Sequence, residues 1–220
     1  MTPEITYSWG NSPSALAKMD HTRRVLYREV IGSLTYASMA ARPDITFAMS
    51  TLSQFLDNPG DVHWEAIKCI FQYLSGTTHF ALTYGGDHHD LAGYMDTDGT
   101  TQDHQHAISR HIFLIDGSAI SWSSWKQELV MLLTTEAKYV AMMHVAKEAI
   151  WLQRLIHELF PLLARPMTLH CDNQAALKLI KDDNYCARTK HIDIQYHFIR
   201  QVAQIRALKL TYCPTDSITS

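Results

Sequence analysis

An α/β domain on a mixed sheet, preceded by a small helical segment, is the architecture this sequence predicts. Three observations carry it. Apolar residues at helical spacing fill the stretch from Arg23 to about Ser75. Near Phe80 the texture changes to short apolar runs and a hairpin dipeptide. After Thr134, long helical stretches alternate with short apolar strands, the pattern of a sheet with helices packed on it.

Residues 1–22 are polar, carry Pro3, Gly10 and Pro13, and read as a loose lead-in. Residues 23–78 form the helical segment. Tyr27, Val30, Ile31 and Leu34 share one helix face, as do Ile45, Met49, Leu52 and Phe55 after Pro43, a residue suited to a first helical turn. Asn58-Pro59-Gly60 breaks the chain, and Trp64, Ile67, Ile70, Phe71 and Leu74 make a third helix ending at Gly76. Residues 79–220 form the α/β domain. Phe80, Leu82 and Tyr84 alternate, and Gly85-Gly86-Asp87 turns the chain. Strands follow at Leu91–Met95, Ala107–Ile115 and Ala119–Ser123, the last two joined by Asp116-Gly117. A long helix runs from about Thr135 to Phe160, with Thr134 and Thr135 as cap candidates. Met167–Cys171 reads as a buried strand, Gln174–Ile180 and Thr189–Arg206 as helices, and Leu208–Cys213 as the final strand.

With 220 residues, 46% of them hydrophobic, the chain has enough apolar material for a sizeable core. Its 19 Lys and Arg against 22 Asp and Glu exclude a strongly basic domain, so nucleic-acid binding would rest on local patches or bound metal. Cys69, Cys171, Cys186 and Cys213 lie far apart without a C-x-x-C, which favours reduced thiols over a disulfide frame. The N-terminal residues have no basic start followed by an apolar run, and no stretch reaches the roughly 18–20 apolar residues that span a bilayer. The expectation is a soluble, intracellular protein with no membrane partner.

Three acidic residues hold unusual places. Asp96 ends the first strand, Glu136 lies in the first turn of the long helix, and Asp172 directly follows the strand ending Leu169-His170-Cys171. In an open α/β sheet, strand ends and the helix starts beside them form the crevice where ligands bind. Converging carboxylates repel one another unless a cation neutralises them, and hard divalent ions take oxygen ligands. Each residue also has a bland reading. An Asp at a strand end commonly shapes a turn, and a Glu in a first turn complements the helix dipole. Placement alone leaves both readings open.

The surrounding segments add weight. Ala119-Ile120-Ser121-Trp122-Ser123-Ser124-Trp125-Lys126-Gln127 and Thr134-Thr135-Glu136-Ala137-Lys138-Tyr139 closely resemble the RNase H domain of copia-type LTR retrotransposon Pol polyproteins. So do Cys171-Asp172-Asn173-Gln174-Ala175-Ala176 and Arg188-Thr189-Lys190-His191-Ile192-Asp193. Upstream, Tyr27-Arg28-Glu29-Val30-Ile31-Gly32-Ser33-Leu34 and Arg42-Pro43-Asp44-Ile45 are similar to the segment joining reverse transcriptase to RNase H. The matches run in one order from about Pro13 to Thr215.

The resemblance implies an RNase H-like mixed five-stranded sheet with flanking helices. It implies hydrolysis of the RNA strand of an RNA–DNA hybrid, with Mg²⁺ (or Mn²⁺), two ions in all, held by Asp96, Glu136 and Asp172. Asp98 is the runner-up to Asp96 and is expected in the turn beyond the strand. Asn173, Gln174, Arg188, Lys190 and His191 become candidate hybrid contacts, and the reverse transcriptase portion of the same polyprotein a candidate partner. The plain alternative for Arg188 and Lys190 is solvated surface charge.

The sequence also departs from the family. A fourth carboxylate is expected a few residues after a Pro-Thr that follows the last strand, but Pro214-Thr215-Asp216-Ser217-Ile218-Thr219-Ser220 ends about there. The helix usually following is expected to be missing as well. Lys138 stands where relatives often carry Glu, and Arg110-His111 where a Gly-aromatic pair is common. The rival expectation is therefore a decayed, non-catalytic fragment that keeps the fold and weak hybrid binding. Zinc is disfavoured, because His88-His89, His104, His106, His191 and His197 have no recognisable ligand spacing. Trp122 and Trp125 read as core and sheet surface rather than a base-stacking platform.

Overall fold

The computed structural model describes residues 21–85, 90–98, 107–127, 134–161, 167–172 and 208–214, with the side chains of 21–24, Asp98 and 134–140 left aside. The chain divides into two compact units, Met1–Leu82 and Thr83–Ser220.

In the first unit, α1 (His21–Ala40) leads through a 3₁₀ turn (Pro43–Ile45) into α2 (Thr46–Leu52). A second 3₁₀ turn (Ser53–Phe55) precedes α3 (Asp61–Gly76). The core is the one the apolar spacing requires: Tyr27, Ile31 and Leu34 of α1 meet Met49, Leu52, Ala66, Ile67 and Ile70. The buried Tyr27 hydroxyl donates to the Leu52 carbonyl at 2.9 Å, so its one polar atom is satisfied. Pro43 opens its turn as its fixed φ suggests. At the start of α3 the Gly60 amide donates to His63 Nδ1 at 2.8 Å, and the His63 ring stacks on Phe55. An accepting Nδ1 requires a neutral ring, and burial lowers the His63 pKa in the same sense. Arg42 ties the two ends of the unit's second half together. It donates to Asp44 at 2.7 Å and to Thr77 Oγ1 at 2.6 Å, while Tyr73 donates to Asp44 at 2.8 Å.

The second unit carries a five-stranded sheet of β1 (Leu91–Asp98), β2 (Ile108–Ile115), β3 (Ser118–Lys126), β4 (Met167–Cys171) and β5 (Leu208–Tyr212). Their spatial order is β3-β2-β1-β4-β5. The β1–β2 and β2–β3 pairs are antiparallel; β1–β4 and β4–β5 are parallel. Asp116 and Gly117 both take positive φ (51° and 81°), the two-residue turn whose twist matches the strands it joins. The expected mixed sheet with helices is thus present.

α4 (Thr134–Leu159) lies across one face of this sheet. Its Ala141, Met142, Val145, Ala146, Ala149 and Leu152 recur at helical spacing and pack on Met95, Phe113, Met167, Leu169, Cys171 and Leu208. Full burial of each large apolar side chain contributes about 1.5–3 kcal/mol. Gly93 lets Phe113 and Leu169 close over β1. A Cβ there would meet Phe113 Cε1 at 2.6 Å and Leu169 Cδ1 at 2.9 Å.

The alternating Phe80, Leu82 and Tyr84 lie in an irregular stretch. It is tied to β3 by single bonds, the Tyr84 hydroxyl donating to the Ala119 carbonyl at 2.6 Å and Ser118 Oγ donating to the Thr83 carbonyl. One expectation needs correction: Asp96 does not end the first strand, and Asp98 does not lie in a turn beyond it. β1 runs through it because its antiparallel ladder with β2 continues to Asp98 opposite Ile108. The predicted helices at 174–180 and 189–206 lie outside the described residues. No helix among the described residues is long and apolar enough to cross a membrane.

Candidate active site

The parallel ladder between β1 and β4 ends with Met95 opposite Cys171. Asp96 and Asp172 each follow that pair by one residue, so the end of the shared ladder sets two aspartates on adjoining strands. Both residues are partly exposed, while Met95 and Cys171 beside them are buried under α4. Strand alternation accounts for this division. One face of the ladder carries the apolar core and the next position turns away from it. The placement is the one an α/β sheet uses for ligands.

The two strands do not end together. On its other side β1 still pairs with β2 for two residues beyond Asp96. Asp96 therefore sits where the β1–β4 pairing has stopped and the β1–β2 pairing continues. Within that ladder its direct partner is Arg110. Arg110 Nη2 lies 3.8 Å from Asp96 Oδ2. Beyond Arg110, in the same cross-strand row, stands Ser124 of β3.

Behind the carboxylates the rings of Tyr94 and His170 stack, with centroids 4.7 Å apart and planes 15° from parallel. These residues precede Asp96 and Asp172 by two positions each, so the stack stiffens both strand ends. Burial lowers the His170 pKa and favours its neutral form. On the α4 face, His111 sits among the Phe113 and Trp125 rings, and Trp125 in turn meets His144 edge-on. Trp125 thus belongs to the core side, as its sequence context suggested.

Glu136 is the third residue of α4. The described buried face of the helix begins at Ala141, about 7.5 Å further along its axis at 1.5 Å per residue. Its carboxylate lies outside the described side chains, as do Asn173, Gln174, Arg188, Lys190 and His191 altogether. The structure thus places two of the three predicted residues next to each other along adjoining strands. Among the described residues no group of three or more His, Cys, Asp or Glu converges as a metal site. Two oxygen-donor carboxylates at adjoining strand ends, partly open to solvent, fit a hard divalent cation as part of its ligand set.

Sequence reasoning marked Arg110 only as a departure and missed that it faces Asp96. The local signal was a charged residue within the apolar run Ile108–Ile115.

No family model matches the chain. Over 205 residues the chain is 42% identical to the retrovirus-related Pol polyprotein from transposon TNT 1-94 of Nicotiana tabacum, covering 93% of this chain and 15% of that protein. It is also 33% identical to the secreted RxLR effector protein 161 of Plasmopara viticola, over 59% of this chain and 93% of that protein. Among solved structures, the foamy viral protease-reverse transcriptase in complex with RNA/DNA hybrid aligns with a TM-score of 0.53. That alignment has 13% identity and covers 87% of this chain and 25% of the viral one, a likeness of fold. The chain spans about 15% of the transposon polyprotein it matches. In order of motifs, sheet topology and sequence identity alike, the chain belongs to the copia-type retrotransposon Pol polyproteins and carries their RNase H-like fold.

Proposed function

We propose that the chain is a metal-dependent endonuclease that hydrolyses the RNA strand of RNA–DNA hybrids. The observation that carries the reading is that Asp96 and Asp172 each directly follow the last pair of the parallel β1–β4 ladder. Membership of the Pol family and the RNase H-like fold supply the reaction class.

In this reading Asp96, Asp172 and Glu136 hold divalent metal, Mg²⁺ or Mn²⁺, through carboxylate oxygens. When bound, such ions activate a water for attack on a phosphodiester and stabilise the leaving oxygen. The chain's own residues do the rest. Asp96 is held in the β1–β2 ladder and Asp172 directly follows the last pair of β4, so the backbone at both positions is tied to the sheet before a cation arrives. The Tyr94–His170 stack holds the strand ends behind them. Selection of RNA paired with DNA rests on the 2′-hydroxyl and the shape of the hybrid. Asn173, Gln174, Arg188, Lys190 and His191 are the proposed hybrid contacts, and the reverse transcriptase part of a Pol polyprotein is the proposed protein partner.

A second reading, a non-catalytic remnant that keeps the fold, is favoured by one observation: Asp96 already has the cation Arg110 beside it. A labelled RNA–DNA hybrid with Mg²⁺ distinguishes the two. The nuclease cuts it, the Asp172→Asn protein does not, and a folded wild type that leaves the hybrid intact supports the remnant.

A further inference from the structure

Arg110 owes its place to register. Eight consecutive β1–β2 pairs, from Leu91 opposite Ile115 to Asp98 opposite Ile108, fix Asp96 directly across from Arg110. Side chains on directly opposed residues share a face of the sheet and stand close together. The guanidinium Nη2 reaches to 3.8 Å from Asp96 Oδ2, and the two side chains are 36% and 24% exposed. That partial burial matters, because it screens their attraction less than bulk water would.

We propose that Arg110 is a built-in counter-cation of Asp96 that competes with divalent metal and sets how much metal the site requires. The inference rests on the reading of Asp96 and Asp172 as metal ligands. Arg110 is the third residue of β2 and its backbone is paired on both sides, by β1 and β3, so the side chain starts from a fixed point directly opposite Asp96. A dication arriving at Asp96 meets that fixed positive charge. Coulomb repulsion between a unit charge and a dication about 5 Å apart corresponds to roughly tenfold in affinity even in a water-like medium. Salt or displacement of the side chain relieves the competition. Arg110 is thus a positioning residue for charge, acting through Asp96 rather than on the substrate.

The test is a titration of the full chain with Mn²⁺ alone, reading free Mn²⁺ by electron paramagnetic resonance. Wild type is compared with Arg110→Gln, Arg110→Lys and Asp96→Asn, each first checked for native circular dichroism. Arg110→Met, which keeps the aliphatic stem, serves as a second neutral variant if the Gln variant unfolds. The expected result is Mn²⁺ binding about tenfold tighter in the neutral variants, with Arg110→Lys within about threefold of wild type. Unchanged or weaker binding in a folded neutral variant overturns the proposal. Loss of binding in Asp96→Asn alongside an unchanged neutral variant defeats the counter-cation alone. Wild-type binding in Asp96→Asn, or no binding by wild type and neutral variants alike, defeats the metal-site reading and this inference with it.

Discussion

Met95 and Cys171 are the last residues that β1 and β4 pair in parallel, and the residue after each is an aspartate. Both members of the pair are buried under α4, so the hydrophobic core itself sets where the two carboxylates emerge. A change in the core beneath this pair is therefore also a change at the candidate site.

Gly93 gives the sharpest test of that coupling. It lies two residues before Met95, with Phe113 and Leu169 side chains in the space a Cβ would take. Gly93→Ala forces those packed side chains apart, and overpacking of this kind costs about 1–3 kcal/mol. A lower denaturation midpoint with an unchanged m-value is the expected result. An unchanged midpoint would mean that the close packing of β1 is not as rigid as its contacts require.

His111 makes the fold acid-sensitive. Its imidazole is partly buried against the Phe113 and Trp125 rings, its buried Nδ1 meets no hydrogen-bond partner among the described residues, and desolvation depresses the pKa from 6.5 to about 4. A depressed folded-state pKa means that the unfolded chain binds the proton first. The stability is then fully present above pH 6.5 and is lost as pH falls toward 4, by up to about 3 kcal/mol for this group. His63, His144 and His170 shift in the same direction. The difference between wild type and His111→Phe in urea unfolding at pH 7 and pH 4.5 isolates the one residue. Wild type should lose more stability between those two pH values than the variant does.

In the helical unit, Tyr27→Phe removes the hydroxyl that reaches the Leu52 carbonyl and keeps the ring. Losing one buried hydrogen bond of this type costs about 1 kcal/mol. Thermal unfolding of a fragment is unnecessary. Hydrogen exchange in the full chain should show faster exchange for α1 and α2 amides and unchanged exchange for the α4 core.

Much of the fold was legible because local rules and burial agreed. Asp116-Gly117 specifies a turn that brings β2 and β3 together at once, and the α4 stripe from Ala141 to Leu152 can only be a buried helix face. The Phe80–Tyr84 alternation makes no strand, because period-two spacing also needs a neighbouring ladder and this stretch makes isolated bonds to β3. At the site, Asp96 and Asp172 could be named from their motifs. The Asp96–Arg110 pair could not. The β1–β2 register crosses a connection of nine residues, 99–107, too long for the Asp98-Gly99 dipeptide to set it as Asp116-Gly117 sets the β2–β3 pair. The extension of β1 through Asp98 was hidden for the same reason.

The most direct test of the account is the rate of Mg²⁺-dependent cleavage of a labelled RNA–DNA hybrid by wild type, Asp96→Asn and Asp172→Asn. The account predicts metal-dependent cleavage by wild type and a loss of about a hundredfold or more in each variant, with circular dichroism unchanged. Cleavage at wild-type rate by either folded variant would contradict it.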